Sequence, residues 1–323
     1  MRELILAVAL VGGLPTGAAI AQDYPSRPIT LVVPFAAGGG TDTIARILAE
    51  RMRASLGQPI IVDNTSGANG TIGVGRVARA AADGHTISIG NWTTHVVNGA
   101  IYGLQYDLLR DFEPIGLIST TSWLIMAKKA VPANDLNDFI AWLKANPGRV
   151  SAGTAGIGSG EHVSGLLFQS LTGTHFQFVP YRGGGPAMQD LVAGQIDMMI
   201  SGPTLSLPQV RAGSIKSYAV TAKTRLAAAP DIPTVDEAGA PGFYFSYWHA
   251  LWVAKGTPKS IIGKLNVAVM GALADPAVVR RLAELGQEIV PRDQQTPEAL
   301  GAYQKAEINK WWPIIKAANI KAD

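Results

Sequence analysis

The sequence predicts an α/β protein of two lobes, with a hinge and an interlobe cleft. Three observations carry this. β-Branched runs alternate with helix-periodic runs from residue 29 to about 119. A second alternating series begins at Trp123. A proline-marked passage around Pro230, Pro233 and Pro241 then precedes a helix-rich return. At 323 residues, 47% hydrophobic and 16% charged, the chain is long enough for two cores of roughly 100–150 residues each.

The elements follow in order. Met1-Arg2-Glu3 is a weakly positive start, Leu4 to Leu14 is apolar, and Ala19-Ile20-Ala21 fits a small-x-small cleavage rule. The expectation is an export signal over residues 1–21, cleaved after Ala21, and a periplasmic chain beginning at Gln22. That stretch is too short and glycine-broken for a membrane span, and no later one approaches the ~20 apolar residues a span needs. Strands are expected at Ile29–Val33, Ile60–Val62, Thr86–Ile89 and Glu113–Ser119, with helices over 41–56 and 71–81, giving a parallel first lobe over 22–122. The second lobe, 123–245, reads as strands Trp123–Ala127, Val150–Thr154, Phe176–Val179, Ile196–Ile200 and Ser217–Thr221, with helices 135–145, 160–172 and 186–193. Residues 246–323 return to the first lobe as strand Ala250–Val253 and helices near 258–273, 276–285 and 297–317.

Four strand ends run into glycine-rich turns: Ala36–Asp42, Ala155–His162, Tyr181–Pro186 and Ser201–Pro203. A helix start carries unpaired N–H groups and about half a positive charge, so such a turn can seat an anion. In a parallel sheet these loops leave the carboxyl ends of the strands and can converge on one cleft. Asp42 beside the first turn reads as a cap or as an acceptor for ligand hydroxyls, and Ser159 as an N-cap with Glu161 and His162 in the first turn. Arg182, His95, Trp92 and Trp248 are further polar or aromatic residues that could reach the cleft.

Enzyme motifs are nearly absent. There is no His-Glu-x-x-His, Gly-x-Ser-x-Gly, Walker loop or His/Cys cluster with metal spacing. Gly73-Val-Gly-Arg-Val-Ala78 matches a dinucleotide string, but the polar loop Ser66–Thr71 stands where a strand is required. No catalytic residue, cofactor or metal is expected. Zero cysteines exclude disulfides, and a net charge of +3 with no basic run argues against nucleic acid as a partner.

Longer strings carry a resemblance. Tyr24-Pro-Ser-Arg-Pro-Ile29, Val33-Pro-Phe-Ala-Ala-Gly-Gly-Gly-Thr-Asp42, Gly67-Ala-Asn-Gly-Thr-Ile-Gly73, Ala82-Asp-Gly-His85, Val179-Pro-Tyr-Arg-Gly183, Asp190-Leu-Val-Ala-Gly-Gln195 and Pro233-Thr-Val-Asp-Glu-Ala-Gly239 resemble the Bug receptors. These are periplasmic solute-binding proteins of tripartite tricarboxylate transporters. The resemblance implies a type II-like periplasmic-binding-protein (Venus-flytrap) fold, a monomer, and a carboxylate held between the lobes for delivery to membrane transporter subunits. By position it implies first-lobe contacts from Phe35, Gly39, Gly40, Thr41, Asp42, Trp92, Thr93 and Thr94. Second-lobe contacts would come from Gly156, Ile157, Gly158, Ser159, His162, Tyr181 and Ser201. Two departures matter: Ile157 stands where the family often has Asn, and Ser201-Gly202 where it usually has Asp-Asn. Both changes suggest a non-amino aromatic or aliphatic carboxylate with substantial hydrocarbon. Alternatives are a sensor that presents its ligand to a signalling partner, or a secreted hydrolase or isomerase built on Ser159 and His162.

Overall fold

The computed structural model describes residues 24–317; the expected export segment, residues 1–21, lies outside them. The first lobe contains β1 (Ile29–Val33), α1 (Gly40–Leu56), β2 (Ile60–Asn64), α2 (Thr71–Ala78) and β3 (Thr86–Asn91). A π-turn at Thr93–Val97 then leads into α3 (Asn98–Ile101) and β4 (Phe112–Ser122). The second sheet comes from β5 (Leu124–Lys128), α4 (Leu136–Ala145), β6 (Ser151–Thr154), α5 (Gly160–Thr172), β7 (Gln177–Pro180), α6 (Gly184–Val192), β8 (Met198–Ser201), α7 (Pro203–Arg211) and β9 (Ile215–Val220). The chain returns through β10 (Ser246–Ala254), α8 (Lys259–Ala274), α9 (Pro276–Glu284), β11 (Glu288–Ile289) and α10 (Pro297–Ala317). Strand orders are β11-β4-β10-β3-β1-β2 and β7-β6-β8-β5-β9.

The central strands of each sheet are buried on both faces, which is why they read as continuous apolar runs. On β1, Leu31 and Val33 face a core with Ile44, Leu48 and Met52 of α1 and Leu265 of α8. Val32 faces the opposite core with Val74 and Val77 of α2. Burying each such side chain fully contributes about 1.5–3 kcal/mol. In the second lobe Leu124 and Met126 pack with Met188, Leu191 and Leu207, while Ile125 packs with Phe139, Phe168 and Phe176. α1 stops at Gly57, which takes the left-handed conformation (φ 67°) and donates its N–H to Arg53 O at 3.0 Å.

The sequence reading expected parallel sheets; the structure has mixed ones. β2-β1-β3 and β7-β6-β8 are parallel, but β10 runs antiparallel to β3 and β4, and β5 antiparallel to β8 and β9. The reason is the double crossing. β4 leaves the first lobe and β10 re-enters it, so the two run in opposite directions side by side. The crossings are tied together at one residue. Trp123 N–H donates to Thr221 Oγ1 (2.8 Å), Thr221 Oγ1 donates to Phe245 O (2.8 Å), and Thr221 N–H donates to Trp123 O (2.8 Å).

Candidate functional site: the interlobe cleft

The cleft is built from strand ends. After β1, Pro34 ends the ladder and Gly38 takes a left-handed turn (φ 80°). Gly39 is then the N-cap of the 17-residue helix α1, with no side chain capping its first turn. Asp42 turns away from the cleft. Its Oδ2 accepts from Gly38 N–H (2.9 Å) and Arg46 Nε (3.0 Å), and its Oδ1 from Asn64 Nδ2 (2.9 Å). Burial raises its pKa, but Arg46, the Gly38 amide and Asn64 outweigh that and hold the carboxyl below the usual carboxylate range. Asp42 therefore shapes the loop and leaves the amides of the first turn open.

Two helices of the second lobe start the same way. Gly183 is the N-cap of α6 and Gly202 that of α7, neither helix is capped by a side chain, and Gly184 and Thr204 line the cleft. α5 differs: Ser159 Oγ accepts from His162 N–H at 3.3 Å and caps that helix. The lobes meet closely here. A methyl placed on Gly185 would lie 3.3 Å from the carbonyl carbon of Gly38, and one on Gly183 would lie 3.4 Å from Ala36 N. Gln287 spans the gap, accepting from Ser119 Oγ (2.8 Å) and donating to Thr204 Oγ1 (2.8 Å).

A cavity of about 60 Å³ lies between these termini. Phe35, Trp123, Leu205 and Tyr247 form apolar walls, and no Lys or Arg is among the lining residues. Thr41 Oγ1 accepts from Asn91 Nδ2 (3.3 Å) and shares a hydrogen bond with His249 Nε2 (3.2 Å). Burial pushes His249 down to about 3, so this imidazole is neutral. Among the described residues, the one lining carboxyl is Glu161, whose Oε1 accepts from Ser201 Oγ at 3.2 Å.

Of the residues expected at the site, Phe35, Gly39, Gly40, Thr41, Thr93, Ser159 and Ser201 come together on this cleft. The others lie elsewhere. Trp92 is fully buried, edge-on to Phe245 and Trp311. Thr94 is buried and bonded to Asn91 and His95. Gly156, Ile157 and Gly158 form part of the lobe-to-lobe rim: Tyr102 Oη donates to Ile157 O (3.1 Å), and Gly158 has no room for a methyl against Ile101. His162 accepts Gly158 N–H at Nδ1 (2.9 Å) and lies edge-on to Phe178, its pKa pushed by burial down to about 4. With Ser159 spent on a cap and the His162 Nδ1 lone pair spent on Gly158, the two are not a nucleophile and its base. Tyr181 Oη donates to Asp190 (2.6 Å), and His95 is stacked on Trp252. Trp248 is fully buried, while Tyr247 and His249 on the alternate face of β10 reach the cleft.

Asn91, Thr121, Glu161, Tyr247, His249 and Gln287 line the cleft without having been anticipated. Period-two alternation along β10 was an available signal for Tyr247 and His249. Gln287 sits in a connection far along the chain and offered none.

Comparison with known proteins agrees with the two-lobed fold. The model of the Tripartite tricarboxylate transporter family receptor matches residues 44–320. The periplasmic binding protein BugD has a similar structure, with a TM-score of 0.89 at 38% identity, covering 93% of this chain and 100% of that one. MatC (Rpa3494) from Rhodopseudomonas palustris, solved with bound malate, gives 0.87 at 39% identity over 90% of this chain and 100% of its own. Rpa4515 of R. palustris, solved with adipate, gives 0.87 at 34% identity over 93% and 99%. The chain therefore belongs to the receptor family of tripartite tricarboxylate transporters, as a two-lobed solute-binding protein and not an enzyme.

Proposed function

We propose that this protein is a periplasmic receptor that captures a non-amino organic dicarboxylate between its lobes and delivers it to a tripartite tricarboxylate-type membrane transporter. The observation that carries the reading is the opposition of uncapped helix starts: α1 from the first lobe, α6 and α7 from the second, across a cleft without Lys or Arg. Each lobe thus offers a seat for one carboxylate, with apolar walls between for a short hydrocarbon chain. Hydrogen bonds to charged oxygens, about 1.5–3 kcal/mol each, outweigh a helix-dipole contribution of up to ~2 kcal/mol. A ligand that touches both lobes favours the closed arrangement by its differential affinity for it. Malate and adipate, bound by the two R. palustris relatives, fit this class.

Thermal unfolding with a panel of acids tests the reading. Ligand at 100 times Kd adds about 2.7 kcal/mol, and each kcal/mol raises Tm by about 2–4 °C in a chain of this size. Adipate or malate should therefore raise Tm by roughly 5–10 °C. Stabilisation by aspartate or citrate alone, with none from aliphatic or aromatic carboxylates, would reject it.

A further inference from the structure

Glu161 stands where an anion receptor should least want it. It is buried, it lines the cleft, and no Lys or Arg lines that cleft to neutralise it. Its Oε1 lies 3.2 Å from Ser201 Oγ, and a methyl on Gly184, the first residue of α6, would be 3.4 Å from that same oxygen. The carboxyl is thus wedged between the end of β8 and the open start of α6, in the second-lobe carboxylate seat.

The groups facing it from each packed element are few. On α5 itself, His162 is turned onto Phe178 with its Nδ1 occupied by Gly158 N–H. From β10 come Tyr247, a phenol kept protonated by burial, and His249, a neutral imidazole. β8 and α7 offer the hydroxyls of Ser201 and Thr204, and α6 offers only Gly184. Arg182 is exposed and does not line the cleft, and Asp42 is committed to Arg46 behind the first turn of α1. Among the described residues, no cation lining the cleft compensates an ionised Glu161.

Resting on the dicarboxylate reading above, we propose that Glu161 is a specificity-determining residue that acts as a neutral acid. In the closed cleft it donates one hydrogen bond to the ligand carboxylate seated at α6, and capture takes up one proton. Burial raises the Glu161 pKa. Its own amide, the Ser159 and Ser201 hydroxyls and the Ala155 amide oppose that without reversing it. An arriving carboxylate pushes in the same direction as burial, because two close carboxylates cannot both ionise cheaply. The sign follows by linkage. A group whose pKa rises on closure tightens binding at low pH, and affinity falls by up to about tenfold per pH unit once the pH passes the open-state value. This also gives Ser201 a role that an Asp at that position could not fill, since a second acid 3 Å away would compete for the same proton.

The test is calorimetric titration of adipate and malate into the full mature protein, in buffers of different ionisation enthalpy, between about pH 5 and 8. The wild type should take up close to one proton per ligand over part of that range. Glu161→Gln, whose amide N–H replaces the acid O–H, should bind with pH-independent affinity and no proton uptake. Binding by the wild type without proton exchange overturns the role of Glu161 and leaves the receptor reading standing. Preference for aspartate or glutamate, lost in E161Q, would show an ionised Glu161 pairing with an ammonium group, and also overturns it. Failure of every organic acid to bind would instead sink the receptor reading, and this inference with it.

Discussion

Replacing Gly39 by Asp separates the two uses of a helix start. Gly39 is extended (φ −77°, ψ 167°), so any residue can stand there, and a methyl would meet Ala36 O at a tolerable 3.4 Å. The new carboxylate would accept from the first-turn amides of α1 that no side chain now caps. Relative to Gly, an Asp cap gains only a few tenths of a kcal/mol, and the dipole adds about 0.3–1 kcal/mol. Asp42 nearby takes part of that back, although Arg46 holds most of its charge. Stability should therefore change by no more than about +1 kcal/mol, or a Tm rise of about 0–4 °C. Affinity should collapse, since the ligand loses two charge-assisted bonds worth about 3–6 kcal/mol together. That corresponds to a roughly 10²- to 10⁴-fold weaker Kd for a dicarboxylate. Calorimetry for Kd and thermal unfolding without ligand measure the two quantities independently. A variant that binds as tightly as wild type would refute the assignment of α1 as the first-lobe seat. One that loses several kcal/mol of stability would show that Gly39 is needed for the turn itself.

Three further outcomes follow from the same geometry. Gln287→Leu removes the bond to Thr204 that crosses the cleft and should weaken ligand binding by about 1–3 kcal/mol, read by calorimetry. Thr221→Val removes the hydroxyl that ties both interlobe crossings and should cost about 1–3 kcal/mol in denaturant unfolding, with ligand present or absent. Asp42→Asn removes a carboxyl whose folded pKa is depressed, so its contribution is present above the unfolded value near 3.9 and is lost as pH falls through the folded one. Wild-type and variant stabilities should therefore differ by about 1–3 kcal/mol at neutral pH and converge in acid, a trend that acid-titrated unfolding curves check.

Much of the architecture was legible in the chain. Ile29–Val33 and Gly40–Leu56 appear close to where their periodicity placed them, because a buried strand and an amphipathic helix each leave a local pattern. α7 was missed: Pro203 and Pro208 interrupt its helical pattern, although Pro203 occupies a first-turn position where the missing N–H costs nothing. β11 was missed because two residues carry no period. The mixed strand direction also escaped, since nothing local distinguishes a strand that leaves a lobe from one that stays.

The sequence by itself determined the alternating elements, the glycine turns that open helix starts, the scarcity of chemistry-bearing motifs and the family resemblance. Each is a property of neighbouring residues and backbone preference. Only the tertiary structure decided which turns share the cleft. It assigned Gly156–Gly158 to the rim against Ile101 and Tyr102, committed Asp42 to Arg46 and Asn64, and brought Glu161, His249 and Gln287 to one cavity from positions up to 126 residues apart. Those choices depend on the register of β10 and on the angle at which two lobes meet, and both are set by packing over the whole chain.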